Sequence, residues 1–262
     1  MKLRGFLGLA LPALLLAGGC RTLPPAPPPV PVTSPEELLS RLRSRQQQVQ
    51  SFEAKGRIIF LSPQENYSGT ALLTGRLPAS LKVDVLDFWG RTILSFATDG
   101  TEVRVLSPHE NKLFRGPATP RNLAAFIPPT VSLPQALRLL VGALPLSSGP
   151  PDHFDYQAAT GRYLLEWRQG GALTERLWVE SQGLAPVKEE WFGGAPEPRF
   201  TVDLADFGAL SPDLPEKITL KTATPKMELR LAYRDLKLNP PLTPAELTLR
   251  LPPGMAEVPL GK

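Results

Sequence analysis

Side chains able to do covalent chemistry are scarce in this sequence. One cysteine, Cys20, and two histidines, His109 and His153, stand among 262 residues. Ser107-Pro108-His109 sets a hydroxyl near an imidazole, but no Gly-x-Ser-x-Gly elbow surrounds it, so the tripeptide reads as a surface turn. His153 follows Asp152 in a second loop context. No pair among these residues has metal-ligand spacing, and no glycine pattern would cradle a phosphate. Glu189 and Glu190 are neighbours on one strand, so their carboxyl groups point to opposite faces and cannot act as an acid–base pair. The expectation is a protein that is not an enzyme and that uses neither metal nor cofactor.

The chemistry that remains is at the N-terminus. Lys2 and Arg4 precede a short apolar run from Phe6 to Ala17, and Ala17-Gly18-Gly19 are small residues before Cys20. That is the layout of a secretory signal, too short to span a membrane, which takes about 20 apolar residues. Ordinary signal cleavage here would leave Cys20 as a free thiol. A lone cysteine after small residues instead resembles the lipobox of bacterial lipoproteins, although Ala17 stands where leucine is more usual, and it marks Cys20 for lipidation. Several acyl chains, at about 0.8 kcal/mol per buried methylene, would make a stable anchor. Arg21 to Thr33 then carry six prolines, from Pro24 to Pro31, which suit a polyproline tether of about 40 Å. Residues 1–19 are read as signal peptide, 20–33 as lipidated cysteine and tether, and 34–262 as one domain. The net charge of +4 falls to about +2 once Lys2 and Arg4 are removed, which leaves no electrostatic footprint for nucleic acid.

A second feature is the stretch Leu81–Ala97. Leu81, Val83 and Val85 alternate with Lys82 and Asp84, and Thr92, Leu94 and Phe96 share one face of a returning strand. Turns between strands usually carry small or polar residues, yet Asp87-Phe88-Trp89-Gly90 puts two large aromatics at the crest. Either Trp89 folds back onto the sheet or a loop, or Phe88, Trp89 and Gly90 form an apolar wedge for a partner or a membrane.

The elements that would position these residues follow from periodicity. Ser34-Pro35-Glu36-Glu37 opens a helix with serine at the N-cap, proline at N1 and glutamate at N3, running to about Gln50. Its Arg41, Arg43 and Arg45 suit a solvated face. From Phe52 the period changes to two, and strands follow one another to about Phe114, with Asp99-Gly100 as a hairpin turn. Two short helices interrupt: Thr119-Pro120 caps one carrying Leu123, Phe126 and Ile127, and Ser132 caps another with Leu137, Leu140 and Val141. Strands resume from Arg162 to Leu238, with Trp167, Trp178 and Trp191 on them, either as core or as lining of a cavity. This is a mainly β (α+β) pattern: a strongly curved antiparallel sheet, or unclosed barrel, of about ten or eleven strands. The inserted helices are the natural lid over an apolar cavity, and no internal repeat is evident.

An N-terminal cysteine, a leading helix, a curved antiparallel sheet and a helical cover together resemble the LolA/LolB-like family of lipoprotein carriers and receptors. The resemblance runs from about Phe52 to Pro145, and more loosely to Leu260. Val83-Asp-Val-Leu-Asp-Phe-Trp-Gly-Arg-Thr-Ile-Leu94 is similar to the family receptor's strand–Pro-Leu-Gly–strand hairpin, and Trp89 stands where an exposed leucine is implicated in membrane delivery. Leu137-Arg-Leu-Leu-Val-Gly-Ala-Leu-Pro145 resembles its Leu-Arg-x-x-Ile-Leu-Gly-Leu-Pro lid segment, with one residue of play before the glycine. Phe88 in place of proline, the bulkier Trp89 and a longer extension after Asn239 depart from that pattern. The resemblance implies a monomer at the periplasmic face of the outer membrane, since Arg21 is not the aspartate that retains many lipoproteins in the inner membrane. It implies acyl chains or lipoproteins as ligand and a periplasmic carrier as partner. The alternative is a structural or lipid-sensing envelope lipoprotein that works through protein partners without transport.

Overall fold

The computed structural model describes residues 32–63, 66–124, 126–128, 131–208, 210, 214–250 and 252–260. The expected signal segment, Cys20 and the tether as far as Pro31 lie outside the described residues.

Helix α1 (Pro35–Gln48) starts where its cap predicts: the Ser34 hydroxyl accepts from the Glu37 N–H at 3.2 Å. Glu37 reaches one residue further back than a capping box would, accepting from the Thr33 N–H at 3.2 Å. Leu38, Leu39 and Leu42 are buried on one side. The arginines on the other side are not all solvated. Arg41 pairs with Glu37, but Arg43 and Arg45 donate to the carbonyls of Ser147 and Leu184 and tie the helix to the segments beneath.

Twelve strands follow in two runs: β1 (Ser51–Leu61), β2 (Asn66–Arg76), β3 (Ser80–Leu86), β4 (Thr92–Thr98), β5 (Glu102–Ser107) and β6 (Lys112–Pro117), then, after the helices, β8 (Arg162–Gln169), β9 (Ala172–Glu180), β10 (Pro186–Phe192), β11 (Pro198–Phe207), β12 (Pro215–Thr222) and β13 (Met227–Leu238). Two short strands lie outside the expected set, β7 (His153–Gln157) and β14 (Ala256–Pro259). All fourteen form one sheet in the order β14-β6-β5-β4-β3-β2-β1-β13-β12-β11-β10-β9-β8-β7, with β14 and β7 as free edges, so the sheet is not closed into a barrel. The alternating segments alone make twelve strands, and β7 and β14 bring the count among the described residues to fourteen, above the ten or eleven expected. β7 is five residues following Pro150-Pro151, and β14 is four residues ending in proline and paired in parallel with β6, so neither gives a usable period-two signal. His153, expected in a loop, opens β7 opposite Glu166.

The first and last long strands meet at β1–β13, the joint that brings the two runs into one sheet. Gly56 makes this close approach possible: a Cβ there would lie 2.4 Å from the Ala232 carbonyl oxygen, at a register shift between Lys55 and Gly56. Beside it, Gly75 leaves room for the fully buried Phe52 ring, 2.2 Å from where its own Cβ would stand.

The inner face of the sheet is covered by α1 and by the β6–β7 connection, which holds α2 (Pro120–Leu123) and α3 (Leu133–Leu140). Ser132 and Gln135 form a full capping box at the start of α3. The chain after Asn239 turns back over the outer face. A 3₁₀ turn (Pro244–Leu247) leads to Leu249, which is buried with Ala97, Leu106 and Leu113, and β14 then covers the edge of β6.

Candidate functional site

Alternate residues of β1 to β4 turn their side chains to the inner face, and between them and α3 is an apolar cavity, partly open to solvent, with about 110 Å³ of space for water-sized molecules. Ile58, Phe60, Leu73, Val83, Val85 and Leu94 form one wall, and Ile218, Leu229 and Leu231 of β12 and β13 form another. The cover consists of Phe126, Ile127, Val131, Ala136, Leu139 and Leu140. Phe96 meets Phe126 at 5.0 Å between ring centroids, and the Tyr233 hydroxyl donates to the Leu140 carbonyl at 2.5 Å, so sheet and cover are pinned at two places. Burial pushes the Tyr233 hydroxyl far above its ordinary pKa, so it stays protonated as that donor. Among the described residues, no side chain lining the cavity is ionisable except the phenol of Tyr67, which stacks on Phe60 at 4.9 Å. Such a cavity can hold hydrocarbon but offers nothing to fix a charged headgroup inside.

The residues nominated from sequence are distributed as follows. Phe126, Ile127 and Leu140 face the cavity. Leu123 is buried behind the cover, Leu137 is fully buried in the core, and Val141 is buried near the end of α1. Trp167 is buried with its Nε1–H on the Gly149 carbonyl at 3.0 Å, and Trp191 stacks on Phe200 at 4.8 Å; both belong to the core of the second half of the sheet. Trp178 is on the outer face, with Arg176 and Lys188 within 5.5 and 5.1 Å of its ring. Strand parity already separates it, since Trp178 alternates with Leu177 and Val179 and shares its side with Arg176 and Glu180. The wall residues of β1 to β4 were not nominated individually, because a period of two tells which side chains share a face but not which face stays unfilled.

At the hairpin, Val85 and Leu94 are paired across β3 and β4 and both line the cavity, so the β3–β4 turn projects directly from the cavity wall. Gly90 adopts a φ of +81°, which glycine takes at no cost. The Asp87 carboxylate accepts the N–H groups of Trp89 and Arg91, each at 2.9 Å, and the Arg91 Nε–H at 2.7 Å. Partial desolvation opposes ionisation, but these bonds and the Arg91 charge outweigh it and hold the Asp87 carboxyl below its ordinary pKa. On this fixed base Phe88 is 94% exposed and Trp89 76% exposed, edge to face at 5.9 Å. The Arg91 guanidinium lies 5.0 Å from the Trp89 ring. The tip is thus an ordered aromatic wedge turned to solvent rather than folded back.

The remaining candidates for chemistry stay apart. His109 lies in the exposed β5–β6 turn, and the Ser107 hydroxyl donates to Glu110 at 3.3 Å. Among the described residues no group of three or more His, Cys, Asp or Glu side chains could hold a metal ion, and no helix is long and apolar enough to cross a membrane.

No protein-family model matches the sequence, and no curated protein sequence does either. Solved structures do share the architecture. A LolA-superfamily protein from Nitrosomonas europaea matches with a TM-score of 0.50 at 16% identity, covering 83% of this chain and 99% of that one. A domain assigned to outer-membrane lipoprotein sorting in Vibrio parahaemolyticus matches at 0.51 and 13% identity, over 80% of this chain and 94% of that one. A DUF1329-family protein from Desulfovibrio piger matches at 0.54 and 10% identity, over 82% and 98%. The fold is therefore the LolA/LolB-like one: an unclosed antiparallel sheet with a helical cover over its inner face. At these identities the likeness carries fold and not activity.

Proposed function

We propose that the protein is a non-enzymatic, lipid-anchored outer-membrane protein that takes acyl chains, or the acylated end of a lipoprotein, into the cavity beneath α3. In this reading it receives lipoproteins from a periplasmic carrier and passes them to the membrane, with Phe88 and Trp89 as the part that enters the bilayer. Cys20 is the anchor and the proline-rich segment the tether. The observation that carries the reading is the continuity of an apolar cavity with an exposed aromatic tip through the Val85–Leu94 pair. A wall without charge suits hydrocarbon, and an aromatic wedge with an adjacent cation suits the interface between headgroups and chains.

The test is transfer of an acylated lipoprotein from a soluble carrier into vesicles by wild type, Trp89→Glu and a cavity-filled variant such as Ala136→Phe. Loss of transfer in both variants, with the fold retained, is expected. Undiminished transfer in both would sink the reading and favour a role through protein partners.

A further inference from the structure

A second feature lies under the other half of the cover. Glu175 of β9 faces Trp191 and Glu189 of β10 faces Leu177, so the two glutamates are diagonal neighbours on the inner face, a spacing that long side chains can bridge. Both are buried, Glu189 completely. The Ser147 hydroxyl donates to Glu175 Oε2, and the Trp191 Nε1–H donates to Glu189 Oε1 at 3.1 Å. The other two oxygens, Glu175 Oε1 and Glu189 Oε2, receive no donor, although the carboxyl groups are within hydrogen-bonding reach of each other. Orphaned acceptors this deep are costly, and a single proton between them would satisfy both.

Beyond the Ser147 backbone N–H, which also favours the Glu175 charge, the described residues around the pair add no donor. From β8 and β11 the same face presents Leu165, Trp167, Phe200 and Val202, all apolar in bulk. Glu166, Arg168, Arg176, Lys188 and Glu190 pair among themselves on the outer face. From α1, Arg43 Nη2 donates to the Ser147 carbonyl at 2.8 Å, and Arg45 to the Leu184 carbonyl at 3.1 Å. Ser147 belongs to the strap of residues 144–149 that leads from α3 to β7. Gln46 also holds this strap at the Leu144 carbonyl (2.7 Å), and Trp167 holds it at that of Gly149 (3.0 Å).

We propose that Glu175 and Glu189 share one proton, and that this singly protonated pair latches the 144–149 strap to the sheet, so that losing the proton releases the strap next to the end of α3. Burial, and for Glu189 also repulsion from Glu175, raises both carboxyls above their ordinary pKa, in keeping with a retained proton. When the strap opens, the pair meets water and ionises. Above the ordinary carboxyl pKa and below that of the closed pair, each opening therefore releases one proton, and the opening equilibrium grows about tenfold per pH unit. The latch stands whether or not the cavity takes lipid.

Hydrogen exchange of the mature, full-length protein from about pH 5 to about pH 8, corrected for intrinsic exchange, reads this directly. The strap peptide should lose protection at about tenfold per pH unit over part of that range, while peptides from β1 and β13 keep theirs. Glu189→Gln supplies a permanent donor to Glu175 and still accepts from Trp191, so its strap should be closed with no such slope. Glu175→Gln tests the same proton from the other side should the first variant fail to fold. A wild-type strap without the slope, an unchanged slope in the folded Gln variant, or the same slope throughout the protein would overturn the latch.

Discussion

Replacing Trp89 by alanine removes one of the two exposed aromatics of the tip without touching what holds the turn. The Asp87 carboxylate bonds to backbone N–H groups and to Arg91, and Gly90 supplies the positive φ, so the hairpin should persist. A tryptophan can remove about 150–250 Å² from water, and the 76% exposure of Trp89 leaves about three quarters of that available. At about 25 cal/mol per Å² the full transfer would yield about 3–5 kcal/mol. Immersion at headgroup depth realises roughly half, about 1.5–2.5 kcal/mol, or about 10–60-fold in partitioning. The assay is cosedimentation of the unacylated Cys20→Ala protein with phosphatidylethanolamine–phosphatidylglycerol vesicles, alongside the same protein carrying Trp89→Ala. Phe88→Ala should act in the same direction, and thermal stability should not change in either. Equal partitioning of parent and Trp89→Ala would refute the wedge, and so would an equal loss on replacing Tyr156, an exposed aromatic on β7 remote in sequence from the hairpin.

Other outcomes follow from the same geometry. Ala136→Phe fills the cavity from α3 and should weaken binding of a fluorescent fatty-acid probe about tenfold or more, at a stability cost of about 1–3 kcal/mol read by urea unfolding. Leu249→Ala empties the small outer core against Ala97, Leu106 and Leu113 and should cost about 2–3 kcal/mol in the same measurement while leaving probe binding intact. Asp99 accepts the N–H groups of Glu102 and Thr101 and the Thr101 hydroxyl, which lowers its pKa from 3.8 to about 2. Its stabilising contribution is therefore complete above pH 3.8 and is lost as pH falls through about 2, and Asp99→Ala should remove that acid-side loss from urea titrations.

Much of the fold is legible in the residues themselves. Ser34-Pro35 and Ser132 with Gln135 mark their helix starts through side-chain oxygens that can accept only one turn ahead. Period-two alternation places the long strands, because a one-residue slip would turn a buried row to solvent. Two aromatics in a turn stand out by type alone. Less legible is whatever depends on register between strands. Glu189 next to Glu190 gives no sign that its partner is Glu175, fourteen positions earlier, since only the β9–β10 alignment makes them diagonal neighbours. Trp167 and Trp191 look alike in sequence to residues lining a cavity, and are core because Phe200, Gly149 and the strap fill the space beside them. The C-terminal cover is hidden for another reason: Leu249 sits in a brief Leu247-Thr-Leu-Arg-Leu251 alternation cut off by Pro252-Pro253, Met255 stands apart beyond it, and their role exists only because β4 to β6 have a second apolar face.

In the proposed function, the space beneath α3 is occupied by hydrocarbon in the cell. Native mass spectrometry of the Cys20→Ala protein, exported to the periplasm and purified without detergent, tests it most directly. Adducts with masses of acyl lipids that disappear in Ala136→Phe are expected; a single bare mass from both proteins, with no uptake of added fatty acid, would overturn the proposal.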